Sequence, residues 1–460
     1  MPTWIRGAAL AGGLAAALLA GAARAEPASG EWHGLLSVGQ AGALHLGLTL
    51  ADDGKGGLTG RLASPDQGAN NIPIANAVSD GASLSFDVPA VKGRYEGHWD
   101  VARHVWTGTW SQGQPLALDF EAGPVTPPER PQVPRPPFPY AAEDVTVQSA
   151  PGVTLACTLT RPAGQGPFPG VVLITGSGPQ DRDEALMGHQ PFLVLADHLS
   201  RRGIAVLRCD DRGFGRSTGV FGAATSRDFA IDAEASAAFL RGRPGIDPAR
   251  VGLIGHSEGG LIAPMVAGQD PKIAFIVLLA GPGVPSRALM TAQRAAVGRS
   301  VGLSADRIEK NEALVGPIDD IAMRATSQAA AQSQIEALLL AQQPAPAAAV
   351  AKAQARYLAS DWYRNFIAYD PRPALQSLRI PVLALNGDKD TQVVSSQNIP
   401  ALRAALKDDP HATVTELPGL NHLFQTAGTG SPLEYATITE TMSPTVLNIV
   451  SDWINGLRKR

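Results

Sequence analysis

The stretch Val251-Gly252-Leu253-Ile254-Gly255-His256-Ser257-Glu258-Gly259-Gly260-Leu261-Ile262-Ala263-Pro264-Met265-Val266 decides the fold. A short apolar run, a G-x-S-x-G pentapeptide and a second, helix-like apolar run follow one another without a spacer. That order reads as a buried strand, a sharp turn and a helix, with the serine hydroxyl lifted above the carboxyl edge of a parallel sheet. Glycine at both ends answers a steric need, because strand and helix backbones approach too closely for a Cβ. The bare pattern is weak; strand and helix on its two sides make it specific. Ser257 is the candidate nucleophile.

Around this elbow, strands alternate with helices. Residues 169–175, 204–209, 273–279, 381–385 and 413–417 read as strands, 192–202 and 229–240 as helices, and 145–147 with 153–160 as a leading hairpin. The pattern predicts an α/β fold, a doubly wound and mostly parallel sheet. Residues 283–373 form an Ala- and Gln-rich helical insertion, most simply a cap over the active-site edge. Pro344-Ala345-Pro346 separates helices within it, and Leu338, Leu339 and Leu340 are expected to supply an apolar ceiling.

A chain of 460 residues implies more than one domain. Residues 26–122 read as a small all-β domain, barrel or sandwich, with alternating segments such as 43–50 and 82–88 parted by turns like Asp52-Asp53-Gly54. Trp32, Trp99, Trp106 and Trp110 are expected to form its core rather than a glycan- or lipid-contacting face. Residues 123–140 are proline-rich, an extended linker or strap, and the catalytic domain is expected over 141–460.

Residues 1–25 carry Arg6, a small-residue apolar run and Ala23-Arg24-Ala25, the marks of a secretory leader cleaved after Ala25. A periplasmic or secreted protein without a stable membrane anchor is expected. Losing Arg6 and Arg24 removes two positive charges and takes the formal charge from −4 to −6. A mildly acidic chain without a basic stripe is a poor partner for nucleic acid. Cys157 and Cys209 fall in predicted strands, where cysteines usually serve as small buried apolar residues, and no bridge between them is expected. The scattered histidines have no zinc spacing, so neither metal nor organic cofactor is implied.

A serine hydroxyl needs a general base oriented by a carboxylate, here in the chain order Ser, Asp, His. Asp388 and Asp390 both follow the strand at 381–385; Asp390 has the more usual G-x-x-D spacing, whereas Asp388 suits a helix cap. His422, in the loop after the last strand, is the candidate base. His411 precedes that strand on the wrong sheet edge, and His256 is expected to pack within the elbow. The oxyanion hole is expected from the backbone N–H groups of Glu258 and Ser177, with Gly176 and Gly178 as neighbours of the latter. The Glu258 side chain reads as a partner of the helix dipole rather than a loop contact. Asp211-Arg212-Gly213-Phe214-Gly215-Arg216-Ser217 lacks phosphate-loop spacing and reads as a rigid turn pinned by Asp211 and Arg212. Gln180-Asp181-Arg182-Asp183-Glu184 either orients substrate or forms salt bridges.

Together these residues resemble the α/β-hydrolase superfamily from about residue 141 onward. Leu173-Ile174-Thr175-Gly176-Ser177-Gly178-Pro179-Gln180-Asp181-Arg182-Asp183-Glu184 and Gly255-His256-Ser257-Glu258-Gly259-Gly260 are similar to secreted bacterial carboxylesterases and serine aminopeptidase-like hydrolases (dipeptidyl aminopeptidase/acylaminoacyl-peptidase-like). The β-rich leader with Ser64-Pro65-Asp66-Gln67-Gly68 also looks typical of that group. Thr175 stands where many esterases carry histidine. The resemblance implies a Ser257–His422–Asp390 hydrolase acting on small-molecule carboxylic esters of short to medium acyl chains. The alternatives are a peptidase with Asp183 and Glu184 as amine anchor, and a ligand-binding protein on an inactive scaffold. The sequence leaves the oligomeric state open.

Overall fold

In the computed structural model residues 28–37, 43–67, 69–112, 114–126, 129–342 and 345–457 are described. The leader expected over 1–25, and Gly68, Pro127, Pro128 and Pro344 of the stretches named above, lie outside them. The chain divides into two compact units, one comprising Met1–Leu36, Leu46–Ala63 and Asn71–Val125, the other Ser37–His45, Ser64–Asn70 and Thr126–Arg460. Two segments of the β-rich region, Ser37–His45 and Ser64–Asn70, group with the second unit.

The β-rich region carries, among the described residues, strands β1 (Gly30–Ser37), β2 (Ala43–Asp52), β3 (Leu58–Ser64), β4 (Ala69–Pro73), β5 (Ala75–Ser79), β6 (Ser83–Val88), β7 (Gly93–Asp100), β8 (Val105–Gln112) and β9 (Gln114–Ala122). Their order is β2-β1-β9-β8-β7-β6-β5-β3-β4, and an added β2–β3 pairing closes the sheet into a barrel. Closure removes the exposed edges an open sheet would present. Trp32, Trp106 and Trp110 are buried within it, while Trp99 is half-buried. The Trp32 ring meets Trp99 and Trp106 edge-on, with centroids 5.9 and 6.1 Å away. That is a core packed by large aromatics.

The catalytic unit is built on β10 (Ala141–Ala150), β11 (Val153–Arg161), β12 (Phe168–Ile174), β13 (Ala205–Cys209), β14 (Ile246–His256), β15 (Ile276–Leu279), β16 (Val382–Gly387) and β17 (Ala412–Leu417). The order is β10-β11-β13-β12-β14-β15-β16-β17. β10–β11 and β11–β13 are antiparallel; from β13 onward every neighbour is parallel. Val171 and Leu173 enter one core with Phe192, Leu195 and Val450, whereas Val172 and Ile174 enter the other with Ala237, Leu240 and Ile262. A strand buried on both faces reads as an unbroken apolar run, which is why residues 169–175 were legible as one.

Helices α1 (Pro191–Arg201), α2 (Ser226–Arg241) and α3 (Glu258–Ala267) follow the early strands. α4 (Ser286–Ser300), α5 (Ala305–Arg324), α6 (Gln328–Leu340), α7 (Ala348–Leu358), α8 (Asp361–Ala368) and α9 (Arg372–Ser377) lie between β15 and β16; α10 (Ser395–Ala405) and α11 (Pro444–Gly456) complete the unit. No helix of the described residues is long and apolar enough to cross a membrane. Within the proline-rich stretch, Arg130 donates to the carbonyls of Met187, Ala436 and Ile438, and Gln132 bonds the main chain at Thr441 and Met442. That part is a strap bonded along the catalytic unit.

One expectation is overturned here: Cys157 and Cys209 form a disulfide. The antiparallel register of β11 and β13 sets them directly opposite, with Cα atoms 3.9 Å apart. Strand register between residues 52 apart is a property of the whole sheet, and the cysteine spacing does not encode it.

Candidate active site

β14 ends at His256 and α3 begins at Glu258, leaving Ser257 as the single turn residue. Its backbone sits at φ 53°, ψ −115°, in a region that L-residues avoid at a cost of about 1–3 kcal/mol. Main-chain bonds hold it there: Ser257 N–H donates to Leu279 O at 2.9 Å, and Ser257 O accepts from Gly260 N–H at 2.9 Å. A Cβ on Gly255 would lie 2.0 Å from the Gly259 carbonyl oxygen, the strand–helix conflict inferred above. A Cβ on Gly259 would lie 2.1 Å from the carbonyl oxygen of Ile174, so the second glycine admits the neighbouring strand β12.

The two acid candidates separate cleanly. Asp390 is buried, and its Oδ2 lies 2.8 Å from Nδ1 of His422. Oδ2 also accepts from Asn386 Nδ2 at 2.9 Å, and Oδ1 from the N–H groups of Gln392 and Val393 at 2.8 Å each. Asp388 is exposed and accepts from Gly419 N–H at 2.7 Å. It shapes the histidine loop from outside. His411 is exposed ahead of β17. With Nδ1 committed to Asp390, the lone pair of His422 Nε2 can accept a proton.

Ser257, His422, Glu258, Gly176 and Ser177 line one cavity of about 310 Å³. Thr175 Oγ1 donates to Asp211 at 2.8 Å, Gln180 N–H to the same carboxylate at 2.9 Å, and Gly176 N–H to Glu184 at 2.8 Å. The Gly176 N–H is thereby used within the loop. The other expected donor, Glu258 N–H, opens α3, where a helix has no internal acceptor for it. Burial pushes the Asp211 carboxyl up to about 7, opposed by the bonds from Thr175 and Gln180.

Glu258 departs from the expectation of a simple dipole partner. Its carboxylate is buried and accepts from Ser226 Oγ at 2.5 Å, from Trp362 Nε1 at 3.0 Å and from the Ser177 hydroxyl. It is a loop contact after all, and a cap contact too. Burial raises its pKa despite those three donors.

The charged loop forms salt bridges. Arg182 forks onto Asp210 with two contacts of 2.8 Å, and Asp183 meets Arg208 at 2.6 Å. Glu184 Oε1 lies 2.9 Å from His256 Nδ1. Arg212 grips Asp232 through Nε and Nη2 at 2.7 and 2.8 Å, so both Asp211 and Arg212 pin the turn after β13.

The cap residues that reach the cavity were not those expected. Leu339 is buried among Ile318, Ile335 and Ala355 inside the cap, Leu338 packs on that cluster, and Leu340 is exposed. The apolar wall comes instead from Leu289 and Met290 of α4, Tyr357 of α7, and Trp362 and Phe366 of α8. Trp362 and Phe366 stack at 5.2 Å, as an i, i+4 pair on one helix face does. The run Asp361-Trp362-Tyr363-Arg364-Asn365-Phe366 carried that signal; consecutive leucines point in different directions and do not make a face.

Among known proteins, the family model described as X-Pro dipeptidyl-peptidase (S15 family) matches residues 151–419. Esterase EstD of Thermotoga maritima is 29% identical over 297 residues, 64% of this chain and 63% of that protein. An uncharacterized protein of Mycobacterium tuberculosis is 30% identical over 177 residues, 38% of this chain and 57% of that protein. The chain thus spans less than two thirds of the length of either relative. The crystal structure of the α/β hydrolase GrgF from a Penicillium species superimposes with a TM-score of 0.46 at 18% identity, covering 68% of this chain and 98% of that one.

Proposed function

The chain belongs to the X-Pro dipeptidyl-peptidase (S15) family, hydrolases of the α/β-hydrolase type, and from that premise we propose that it is a serine hydrolase cleaving carboxylic esters of short to medium acyl chains. Ser257 Oγ attacks the acyl carbon while His422 Nε2 takes its proton. Asp390 holds the imidazole and stabilises the imidazolium, and the N–H groups of Ser177 and Glu258 face the oxyanion. His422 then gives the proton to the leaving alkoxide, releasing the alcohol. Water, deprotonated by His422, cleaves the acyl-enzyme to the acid and frees Ser257.

The observation that carries the choice of ester over peptide is the state of the cavity's carboxylates. A dipeptidyl-peptidase has to hold a free ammonium group, and among the described residues the lining includes two carboxylates, Glu184 and Glu258. Glu184 is engaged by Gly176 and His256, and Glu258 by Ser226, Trp362 and Ser177. Asp183, the other expected anchor, is paired with Arg208. The remaining wall is largely apolar, which suits an acyl chain, and the likeness to an esterase of Thermotoga maritima agrees. The leader-like residues 1–25 and the disulfide support export to an oxidising compartment, periplasmic or outside the cell.

The test compares wild type with Ser257→Ala on p-nitrophenyl butyrate and on an Xaa-Pro p-nitroanilide. Ester turnover abolished by the substitution, with little anilide turnover, is expected. Anilide turnover of similar kcat/KM would transfer the protein to the peptidase reading that its family description favours. Ester turnover retained in Ser257→Ala would remove the nucleophile assignment. A mature chain that keeps residues 1–25, read by N-terminal sequencing of exported protein, would refute cleavage.

A further inference from the structure

Beside the Asp390–His422 contact lies a second buried carboxylate–histidine contact, Glu184–His256, which the steps above do not use. The two imidazole rings are 4.8 Å apart, and His256 and Glu184 are both buried. His256 Nδ1 lies 2.9 Å from Glu184 Oε1, and Nε2 lies 3.0 Å from the main-chain oxygen of His422. Glu184 Oε1 also accepts the Gly176 N–H at 2.8 Å. Each ring nitrogen therefore faces an oxygen that accepts. A neutral imidazole has one N–H and can satisfy only one of them; an imidazolium satisfies both.

We propose that Glu184 and His256 are a positioning pair: a doubly protonated His256 ties the main chain of His422 to the Glu184 carboxylate, which at the same time holds the Gly176 amide of the oxyanion loop. The proposal rests on Ser257 and His422 being nucleophile and base. His256 is fixed in the chain next to Ser257, so one ion pair sets three loops, carrying the nucleophile, the base and the oxyanion donor, in one geometry. Reactivity is sensitive to that geometry, since a misplacement of about 1 Å can cost about 100-fold.

The charged groups around the pair agree in sign. Glu184 faces His256 from the oxyanion loop and Asp390 from the loop after β16, and the His422 ring lies against it, tilted by 45°, from the loop after β17. Asp211 is the next acid, interacting with both Glu184 and Glu258 around the oxyanion loop. Burial, the largest single influence on His256, lowers its pKa; the charge and hydrogen bond of Glu184, the His422 carbonyl and the Asp390 charge together outweigh it, and the net direction is upward. That direction agrees with the imidazolium that two facing acceptors require, and the proton is lost as pH rises. When it leaves, the Nε2 lone pair meets the carbonyl oxygen of His422, or Nδ1 meets the carboxylate, and one tie breaks.

The experiment is the pH profile of kcat and KM on p-nitrophenyl butyrate for wild type, Glu184→Gln and His256→Gln, with Ser257 accessibility followed by a fluorophosphonate label. Wild type is expected to lose kcat on the alkaline side while KM changes little. Glu184→Gln keeps an acceptor for Gly176 but removes the charge, so its alkaline loss is expected to begin about one pH unit or more lower. His256→Gln keeps an uncharged N–H donor toward His422, so its kcat is expected about 10-fold lower and without the alkaline loss. A wild-type profile flat from about pH 7 to about pH 10 would overturn the proposal however the variants fold. Variants that keep the wild-type alkaline limb would overturn it as well. Activity surviving in Ser257→Ala would instead defeat the catalytic reading beneath it.

Discussion

Asp390→Asn removes one charge and almost no volume, and the structure fixes what the new amide must do. Asp390 Oδ1 accepts two main-chain N–H groups at 2.8 Å each, so the amide oxygen has to take that place. The NH2 group then occupies the Oδ2 position, 2.8 Å from His422 Nδ1 and 2.9 Å from Asn386 Nδ2. Asn386 can adapt, because its Oδ1 is buried without a hydrogen-bond partner among the described residues, and a flip of its amide turns that oxygen toward the new donor. His422 cannot adapt without cost. Receiving a hydrogen bond at Nδ1 puts its proton on Nε2, the atom that must accept from Ser257. The variant is expected to fold with its melting temperature within about 3 °C of wild type, and to lose kcat by about 1,000- to 10,000-fold, about 4–5 kcal/mol of barrier. Initial rates on p-nitrophenyl butyrate, normalised to folded protein by circular dichroism, read the effect. A loss of less than about tenfold in folded protein would refute the assignment of Asp390 and with it the tautomer argument.

Three further outcomes are expected. Reducing the Cys157–Cys209 disulfide, or replacing both cysteines with alanine, releases a 52-residue separation and costs up to about 4 kcal/mol in loop-closure entropy. The melting temperature should fall by about 8 °C on a thermal scan with reductant, and an unchanged midpoint would count against that constraint. Asp211 has a folded-state pKa raised by burial from 3.8 to about 7, so its charge opposes folding increasingly as pH rises through that window. Asp211→Asn, compared with wild type by thermal melts, should therefore gain in relative stability from about pH 4 to about pH 8; a relative loss would contradict it. Trp362→Ala opens the wall under α8 and strips one donor from Glu258. The ester optimum should move about two carbons longer, with KM for the butyrate rising about tenfold, and a chain-length series of p-nitrophenyl esters checks it.

The strand-elbow-helix order around Ser257 was legible because it is local. Gly255, Ser257 and Gly259 must stand at fixed spacing whatever packs around them, and strands buried on both faces announce themselves as apolar runs. Asp390 and His422 were legible for a related reason: both close strands of one parallel sheet, and side chains at the carboxyl ends of such strands converge. The cap was legible as helices but not as a wall, since which face of α6 or α8 meets the cavity depends on partners from α4, α5 and α7. The same limit hid the disulfide and the role of the Glu258 side chain.

What the sequence determined alone, then, is the set of contacts fixed by backbone geometry within a few residues, together with the strand ends that a parallel sheet must gather. Only the tertiary structure decided which polar groups meet across the chain: Cys157 with Cys209, Glu258 with Ser226 and Trp362, and Glu184 with Gly176 and His256. The physical reason is that a buried polar atom takes whatever partner comes within hydrogen-bond distance, and that distance is set by the packing of elements far apart in sequence.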